Sequence, residues 1–402
     1  MRSRTRVVSC LLTALALAAP ATPALAQPAQ PGAAAATTAA TAGPAISGAG
    51  DSPGDLVSVE PSAFHPLPGQ PTATRAWKIH YRSTSATDEP NVVSGTVIVP
   101  QDGRTGPRPL VSYAVGTVGM ADSCAPSAGF PHGTTVEANL IQALTWRGWA
   151  VVVTDYEGLG TPGDHTYTVG RSAGHSVLDA ARAALRLPEA GLDAHSPVGL
   201  MGYSQGGQAS SWAAELKDSY APELDVRGTV SGGVPARLAE MPAVHDGSFG
   251  AGLMFMSALG QDTAYPELKL DDYLNDRGRK LVSTLRNSCV ALGALAGAFT
   301  KISDITTENP LVTAAWQNRL HASDLGTRDP GHPVYLYHAL PDEIVPYAQG
   351  SGLRRAWCTQ GADVEWHTTL IGEHVSTVVT ESLRAANWLG DRFNGRATHS
   401  NC

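Results

Sequence analysis

Short runs of β-branched and aromatic residues recur along the chain, at 77–82, 92–99, 110–115, 150–155, 198–203, 229–232, 334–338 and 364–370. Amphipathic, helix-like patterns fall between several of them, such as 136–147 and 176–187, and the last run is followed by a helical pattern over 375–388. The first two runs read as opening antiparallel strands. Strands separated by helix-length crossovers predict a mostly parallel central sheet flanked by helices. One interval breaks the rhythm. From Pro235 to about His332 no strand pattern occurs, and apolar helical stretches at 249–259 and 281–299 take its place. We read this as a helical cap inserted at about 236–331; the alternative is an extra packing layer with no contact to substrate. The segment Phe249-Gly250-Ala251-Gly252-Leu253-Met254-Phe255-Met256 suits an adaptable apolar wall, although a buried core helix has the same pattern.

Composition fits this picture. The chain has 402 residues, 43% hydrophobic and 16% charged, enough for one large core. Residues 27–53 are Ala, Thr, Pro and Gly with little else, and cannot bury enough surface to offset their ordering entropy; they are expected to be a disordered linker. No repeat of 20–50 residues is visible. Before the linker, Arg2, Arg4 and Arg6 precede an apolar run from Val7 to Ala19, and Ala24-Leu25-Ala26 has the small-x-small form of a cleavage site. Residues 1–26 therefore read as an export signal, the run being too short to span a bilayer comfortably. Its removal takes away three arginines and no acid, changing the net charge from −8 to −11. An acidic chain of this kind is a poor nucleic-acid partner. The mature chain retains Cys124, Cys289, Cys358 and Cys402. In an oxidising compartment four cysteines predict two disulfides, with three pairings open. No Cys-x-x-Cys pair supports a zinc site, and neither metal nor organic cofactor is expected.

Gly202-Tyr203-Ser204-Gln205-Gly206 fits Gly-x-Ser-x-Gly, in which the serine sits on a strained strand-to-helix turn and bulky neighbours would collide with the sheet. With 42 glycines the match alone is weak, and Gly170-Arg171-Ser172-Ala173-Gly174 satisfies it too. Context favours Ser204: the apolar strand Val198-Gly199-Leu200-Met201 precedes it and a helical run from Gln208 to Leu216 follows. Ser172 follows a Thr-rich loop and reads as a helix N-cap. The partners of such a serine come in the order acid, then histidine. Asp342 lies just past the strand ending near His338, with Glu343 as the second candidate and a plain turn aspartate as the bland one. His374 lies beyond the last strand; His367 within that strand is its rival among 13 histidines. Of the oxyanion donors, one is expected to be the N–H of Gln205, the residue after the nucleophile. The other is placed in Val115-Gly116-Thr117-Val118-Gly119, on Thr117 or Gly116, where glycines allow close backbone approach.

These islands, together with Cys124-Ala125-Pro126-Ser127, Asp155-Tyr156-Glu157-Gly158-Leu159-Gly160, Pro341-Asp342-Glu343-Ile344-Val345-Pro346 and Gly372-Glu373-His374, resemble the secretory lipase family of α/β hydrolases, the lipase A type. The resemblance covers about 55–402. It implies an α/β-hydrolase fold with a helical cap, a hydrophobic acyl tunnel, a triad of Ser204, Asp342 and His374, and disulfides Cys124–Cys289 and Cys358–Cys402. Bacterial relatives often have His before the Gly-Thr, where this chain has Val115. The expected activity is that of a secreted, monomeric serine ester hydrolase taking a small-molecule or lipid ester, with no transmembrane segment in the mature chain and the cap as the place of transient contact with a lipid interface. An acyltransferase using the same triad, a cap-bearing serine aminopeptidase and a catalytically silent binding protein are the alternatives.

Overall fold

A computed structural model describes residues 50–104 and 106–402, so the expected signal peptide and residues 27–49 of the expected linker lie outside the described residues. Residues 50–53 are described and lie against the folded chain: Asp51 pairs with Arg82 at 3.2 Å, and the Pro53 carbonyl accepts from Arg186 at 3.0 Å.

Among the described residues nine strands form one sheet: β1 (Leu56–Ser62), β2 (Thr74–Thr84), β3 (Pro90–Pro100), β4 (Leu110–Ala114), β5 (Ala150–Thr154), β6 (Val198–Tyr203), β7 (Val226–Gly232), β8 (Val334–Ala339) and β9 (Val364–Thr369). Their order is β1-β2-β3-β5-β4-β6-β7-β8-β9. The pairings from β1 to β5 are antiparallel, and the rest, from β5 across to β9, are parallel. Strands β4, β5, β6 and β8 are buried at every position, as befits strands covered on both faces. The helices Gly170–Leu185 and Gln205–Tyr220 pack together against the sheet, and a second pair, Ala138–Thr145 and His374–Phe393, does the same. This is the α/β-hydrolase arrangement. Strand β1 was not expected from its sequence; Glu60 and Pro61 weaken the pattern, and both are tolerated because β1 is an edge strand paired only to β2.

The sheet order reverses at β4. The chain leaves β4 for β5 on one side and returns past it to β6 on the other, so a crevice opens beyond the carboxyl ends of β4 and β6.

Between β7 and β8 the described residues contain no strand. The longer helices there are Ala251–Ala264, Asp276–Arg286, Val290–Gly297 and Ala314–His321, and they enclose a cluster of their own that includes Met254, Leu259, Val282, Leu285 and Trp316. The single helical stretch expected over 281–299 is in fact two helices. At 288–290 the backbone is taken up by another segment: Ser288 accepts from the Met120 N–H (3.0 Å) and the Val290 N–H donates to Val118 (2.8 Å). A helix could not run through residues whose hydrogen bonds go elsewhere. The disulfide Cys124–Cys289 closes the same junction, and Cys358–Cys402 joins the helix Tyr347–Thr359 to the end of the chain.

Candidate active site

Ser204 stands between β6 and the helix Gln205–Tyr220, with φ 57° and ψ −120°. A non-glycine residue at such φ carries strain of roughly 1–3 kcal/mol and persists only where its surroundings fix it. Here they do: the Ser204 N–H donates to Gly232 and its carbonyl accepts from Gln208, both at 2.9 Å. The flanking glycines are steric requirements. A Cβ on Gly202 would lie 2.1 Å from the Gly206 carbonyl oxygen, and one on Gly206 would lie 2.0 Å from that of Ala114. The turn thus leaves Ser204 half-buried, with its hydroxyl at the crevice.

Asp342 follows β8 with its side chain fully buried. Its Oδ1 accepts the N–H groups of Ile344 (3.0 Å) and Val345 (2.7 Å), while Oδ2 lies 2.7 Å from His374 Nδ1 and 3.3 Å from His338 Nε2. Burial alone would raise its pKa; the hydrogen bonds from His338 and His374 and the charge those rings can carry outweigh it and hold the carboxyl well below the usual carboxylate range. His374 is the first residue of the closing helix His374–Phe393, which begins one residue earlier than expected because Glu373 caps it, accepting from Val375 (2.6 Å) and Ser376 (2.9 Å). The Tyr203 hydroxyl donates to the His374 carbonyl at 2.8 Å, and the two rings lie 5.0 Å apart. With Asp342 as acceptor, the Nδ1 of His374 carries the proton, and Nε2 is free to accept from Ser204 Oγ at 2.9 Å.

The rivals fall elsewhere. Ser172 is not an N-cap: the helix starts at Gly170 after Val169, and Ser172 lies buried in its first turn, hydrogen-bonded to the Glu157 carboxylate and to Thr166 (3.2 Å). Glu343 meets His374 only through the backbone N–H, at 3.0 Å. His367 pairs with Glu381 at 3.5 Å.

Of the two donors considered in the 115–119 loop, Gly116 is committed: its N–H donates to Glu137 Oε1 at 2.7 Å. For the N–H groups of Thr117 and Gln205 the described residues offer no acceptor. The Gln205 side chain is fixed by His165, whose pKa burial lowers to about 4. That neutral ring donates from Nδ1 to the Glu157 carbonyl (2.9 Å) and accepts the Gln205 amide at Nε2 (3.1 Å). Glu137, His165 and His338 were not singled out in the sequence. His338 alone carried a usable signal, four residues before Asp342 at the end of a strand.

A cavity of about 220 Å³ opens at Ser204 between the 115–118 loop, Leu253 and Val290 of the helical insertion, and Val375 and Val378 of the closing helix. A second, of about 50 Å³, shares Ser204, Leu253 and Ile344 with it and is also lined by Gln205, Met241 and Met254. A larger open depression of about 620 Å³, lined by Arg108, Arg147, Trp149 and Asp391, contains none of these groups, and its charged walls do not suit an apolar guest. Among the described residues no group of three His, Cys, Asp or Glu could hold a metal ion, and no helix is long and apolar enough to cross a membrane.

Known proteins share the sequence pattern and the fold of this chain. The family described as Secretory lipase matches residues 129–401, more than half of the chain. A secreted triacylglycerol lipase of Malassezia globosa is 30% identical, the match covering 87% of this chain and 78% of the relative. A Mycobacterium tuberculosis protein named "Probable inactive lipase" is 32% identical, over 83% of this chain and 76% of its own. Candida antarctica lipase A in its closed state superimposes with a TM-score of 0.79 at 24% identity, covering 87% of this chain and 84% of that one, which shows the common fold. The chain therefore belongs to the secretory lipase family of ester hydrolases, on the α/β-hydrolase fold.

Proposed function

We propose that the chain is a secreted carboxylic-ester hydrolase in which Ser204 is the nucleophile, His374 the general base and acid, and Asp342 the group that orients it. The observation that carries this reading is the unbroken line from Ser204 Oγ to His374 (2.9 Å) and on to buried Asp342 (2.7 Å), beside an apolar cavity. Ser204 Oγ attacks the ester carbonyl while its proton passes to Nε2 of His374. Asp342 holds the imidazole in that tautomer and stabilises its cation. The N–H groups of Gln205 and Thr117 face the developing oxyanion, each donor stabilising the transition state by roughly 3 kcal/mol. The proton then goes to the departing alkoxide, leaving an acyl-enzyme. Water, deprotonated by His374, attacks the acyl carbon and releases the acid and Ser204.

The insertion at about 236–331 acts as the cap, supplying Leu253, Met254 and Val290 to the two cavities. Exposed Leu292, Leu295 and Phe299 on the insertion, and exposed Val136 and Val375 lining the cavity at Ser204, favour contact with a lipid surface. Relatives named secreted triacylglycerol lipases support a lipid ester as substrate, and with the two disulfides they support export after cleavage near residue 26. One relative carries "inactive" in its name, but the complete hydrogen-bonded triad of this chain favours an enzyme over a silent scaffold. The test is a p-nitrophenyl ester series of increasing acyl length with wild type and Ser204→Ala. Wild type should hydrolyse several members and the variant none above background; a wild type inert on all of them, or an active Ser204→Ala, overturns the reading.

A further inference from the structure

One peptide unit beside Ser204 is held from both sides, and one of its holders is a carboxylate that takes no part in the reaction. The Val115–Gly116 peptide, just past β4, offers its carbonyl to the Tyr156 hydroxyl (2.7 Å) and its N–H to Glu137 Oε1 (2.7 Å). The other oxygen, Oε2, accepts the buried Tyr113 hydroxyl at 2.5 Å. Tyr156 reaches its partner from a left-handed backbone, φ 69°, within the Asp155-Tyr156-Glu157 segment. The fit around the peptide is close: a Cβ on Gly116 would lie 2.8 Å from Glu137 Oε1 and 3.4 Å from the Tyr203 carbonyl oxygen. The next residue is Thr117, whose Oγ1 hydrogen-bonds the Tyr167 hydroxyl at 2.7 Å.

We infer that Glu137 is a positioning residue for acyl transfer: by gripping the Gly116 N–H, it aims the adjacent Thr117 N–H at the oxyanion. The inference rests on the reading of Ser204 as nucleophile. A carboxylate is a costly choice for the wall of an apolar cavity, and burial pushes the Glu137 carboxyl up despite the Tyr113 and Gly116 hydrogen bonds. What it provides in return is a strong, directional acceptor with two oxygens held by two donors. Without it the Gly116 N–H has no acceptor in place. A glycine peptide can turn to find one, and that rotation swings the Thr117 N–H away. An oxyanion donor works only when preorganised, and misplacing a reacting geometry by about 1 Å costs on the order of 100-fold.

The experiment is steady-state hydrolysis of one p-nitrophenyl ester by wild type, Glu137→Ala, Glu137→Gln, Tyr113→Phe and Ser204→Ala, with Tm for each. Glu137→Ala should lower kcat by about 100-fold and leave KM nearly unchanged. Glu137→Gln keeps a carbonyl oxygen for the Gly116 N–H and an amide for the Tyr113 oxygen, and should recover at least about one tenth of the wild-type kcat. Tyr113→Phe frees one carboxylate oxygen and should lower kcat several-fold. The inference is overturned if Glu137→Ala loses Tm but not kcat, if it raises KM alone, or if Gln serves no better than Ala. Should Glu137→Ala not fold, an unchanged kcat in Tyr113→Phe overturns it as well. An active Ser204→Ala would instead strike the nucleophile assignment, a failure read from a different variant.

Discussion

Gly206→Ala tests the nucleophile turn at its tightest point. The added Cβ would stand 2.0 Å from the Ala114 carbonyl oxygen, 2.7 Å from its carbonyl carbon and 2.9 Å from the Val115 oxygen. Real Cβ contacts stay above 3.0 Å, so the two segments must part by at least 1.0 Å. No side chain can rotate to make room, because every atom met is backbone, and β4 is pinned between β5 and β6. The displacement falls on Ser204 and the Gln205 N–H, and on the 2.9 Å bond to His374. A misplacement of about 1 Å in a reacting geometry is worth on the order of 100-fold, or about 2.7 kcal/mol of barrier. Overpacking should also lower stability by about 1–3 kcal/mol. The assay is kcat/KM on a p-nitrophenyl ester, with urea unfolding in parallel. Gly352→Ala is the control: it lies within the helix Tyr347–Thr359, its Cβ would meet only the end of the Arg355 side chain at 3.7 Å, and it should stabilise by about 0.5–1 kcal/mol with activity unchanged. A Gly206→Ala enzyme with activity close to wild type would refute the close-approach reasoning.

Asp342→Asn should lower kcat by about 10³–10⁴-fold through the wrong imidazole tautomer, while Glu343→Gln, which touches only the His374 backbone N–H, should cost a few-fold at most; kinetics showing the reverse ranking would transfer the acid's role to Glu343. Replacing the cysteines pairwise with serine removes cross-links spanning 165 and 44 residues, which in the chain-entropy account are worth about 5 and 4 kcal/mol of urea-measured stability. Only loss of Cys124–Cys289 should also depress kcat; equal depression by both would detach the 118–124 loop from the chemistry. Burial lowers His165 and His175 from 6.5 to about 4. The unfolded chain therefore takes up protons below pH 6.5 that the folded chain refuses until about pH 4. Stability is full above 6.5 and falls as the pH drops toward 4, by on the order of 3 kcal/mol for each ring. His165→Gln should flatten the decline of Tm over that range, and an unaltered slope would remove His165 from the account.

The sequence was most readable where chemistry demands order along the chain. The apolar strand before Ser204, the helix after it and the positions of Asp342 and His374 past later strands could be located because each is a local pattern, and the structure brings these side chains together. Hidden features were those set by distant partners. The Gly170–Gly174 match could be set aside by its context, yet the true task of Ser172, a bond to Glu157, comes from a loop fifteen residues earlier. The break between the helices ending at Arg286 and beginning at Val290 exists because residues 118–120 claim the backbone there, and nothing in the local pattern of 281–299 reveals it. That the Gly116 N–H is taken by a carboxylate twenty-one residues further on is likewise invisible in the pattern of the 115–119 loop.

The junction at Cys124 and Cys289 also bears on how such enzymes change their substrates. A loop that carries a proposed oxyanion donor and an insertion that lines the cavity at Ser204 are joined by a disulfide and by backbone hydrogen bonds at Val118–Val290 and Met120–Ser288. The two are mechanically tied together. A chimera that imports a relative's insertion without the matching 115–124 loop would install a new pocket and misalign the donor beside it. Wholesale exchange therefore sacrifices rate, whereas substitutions at positions such as Met254, inside the insertion and away from the seam, can alter the cavity while leaving the loop in place.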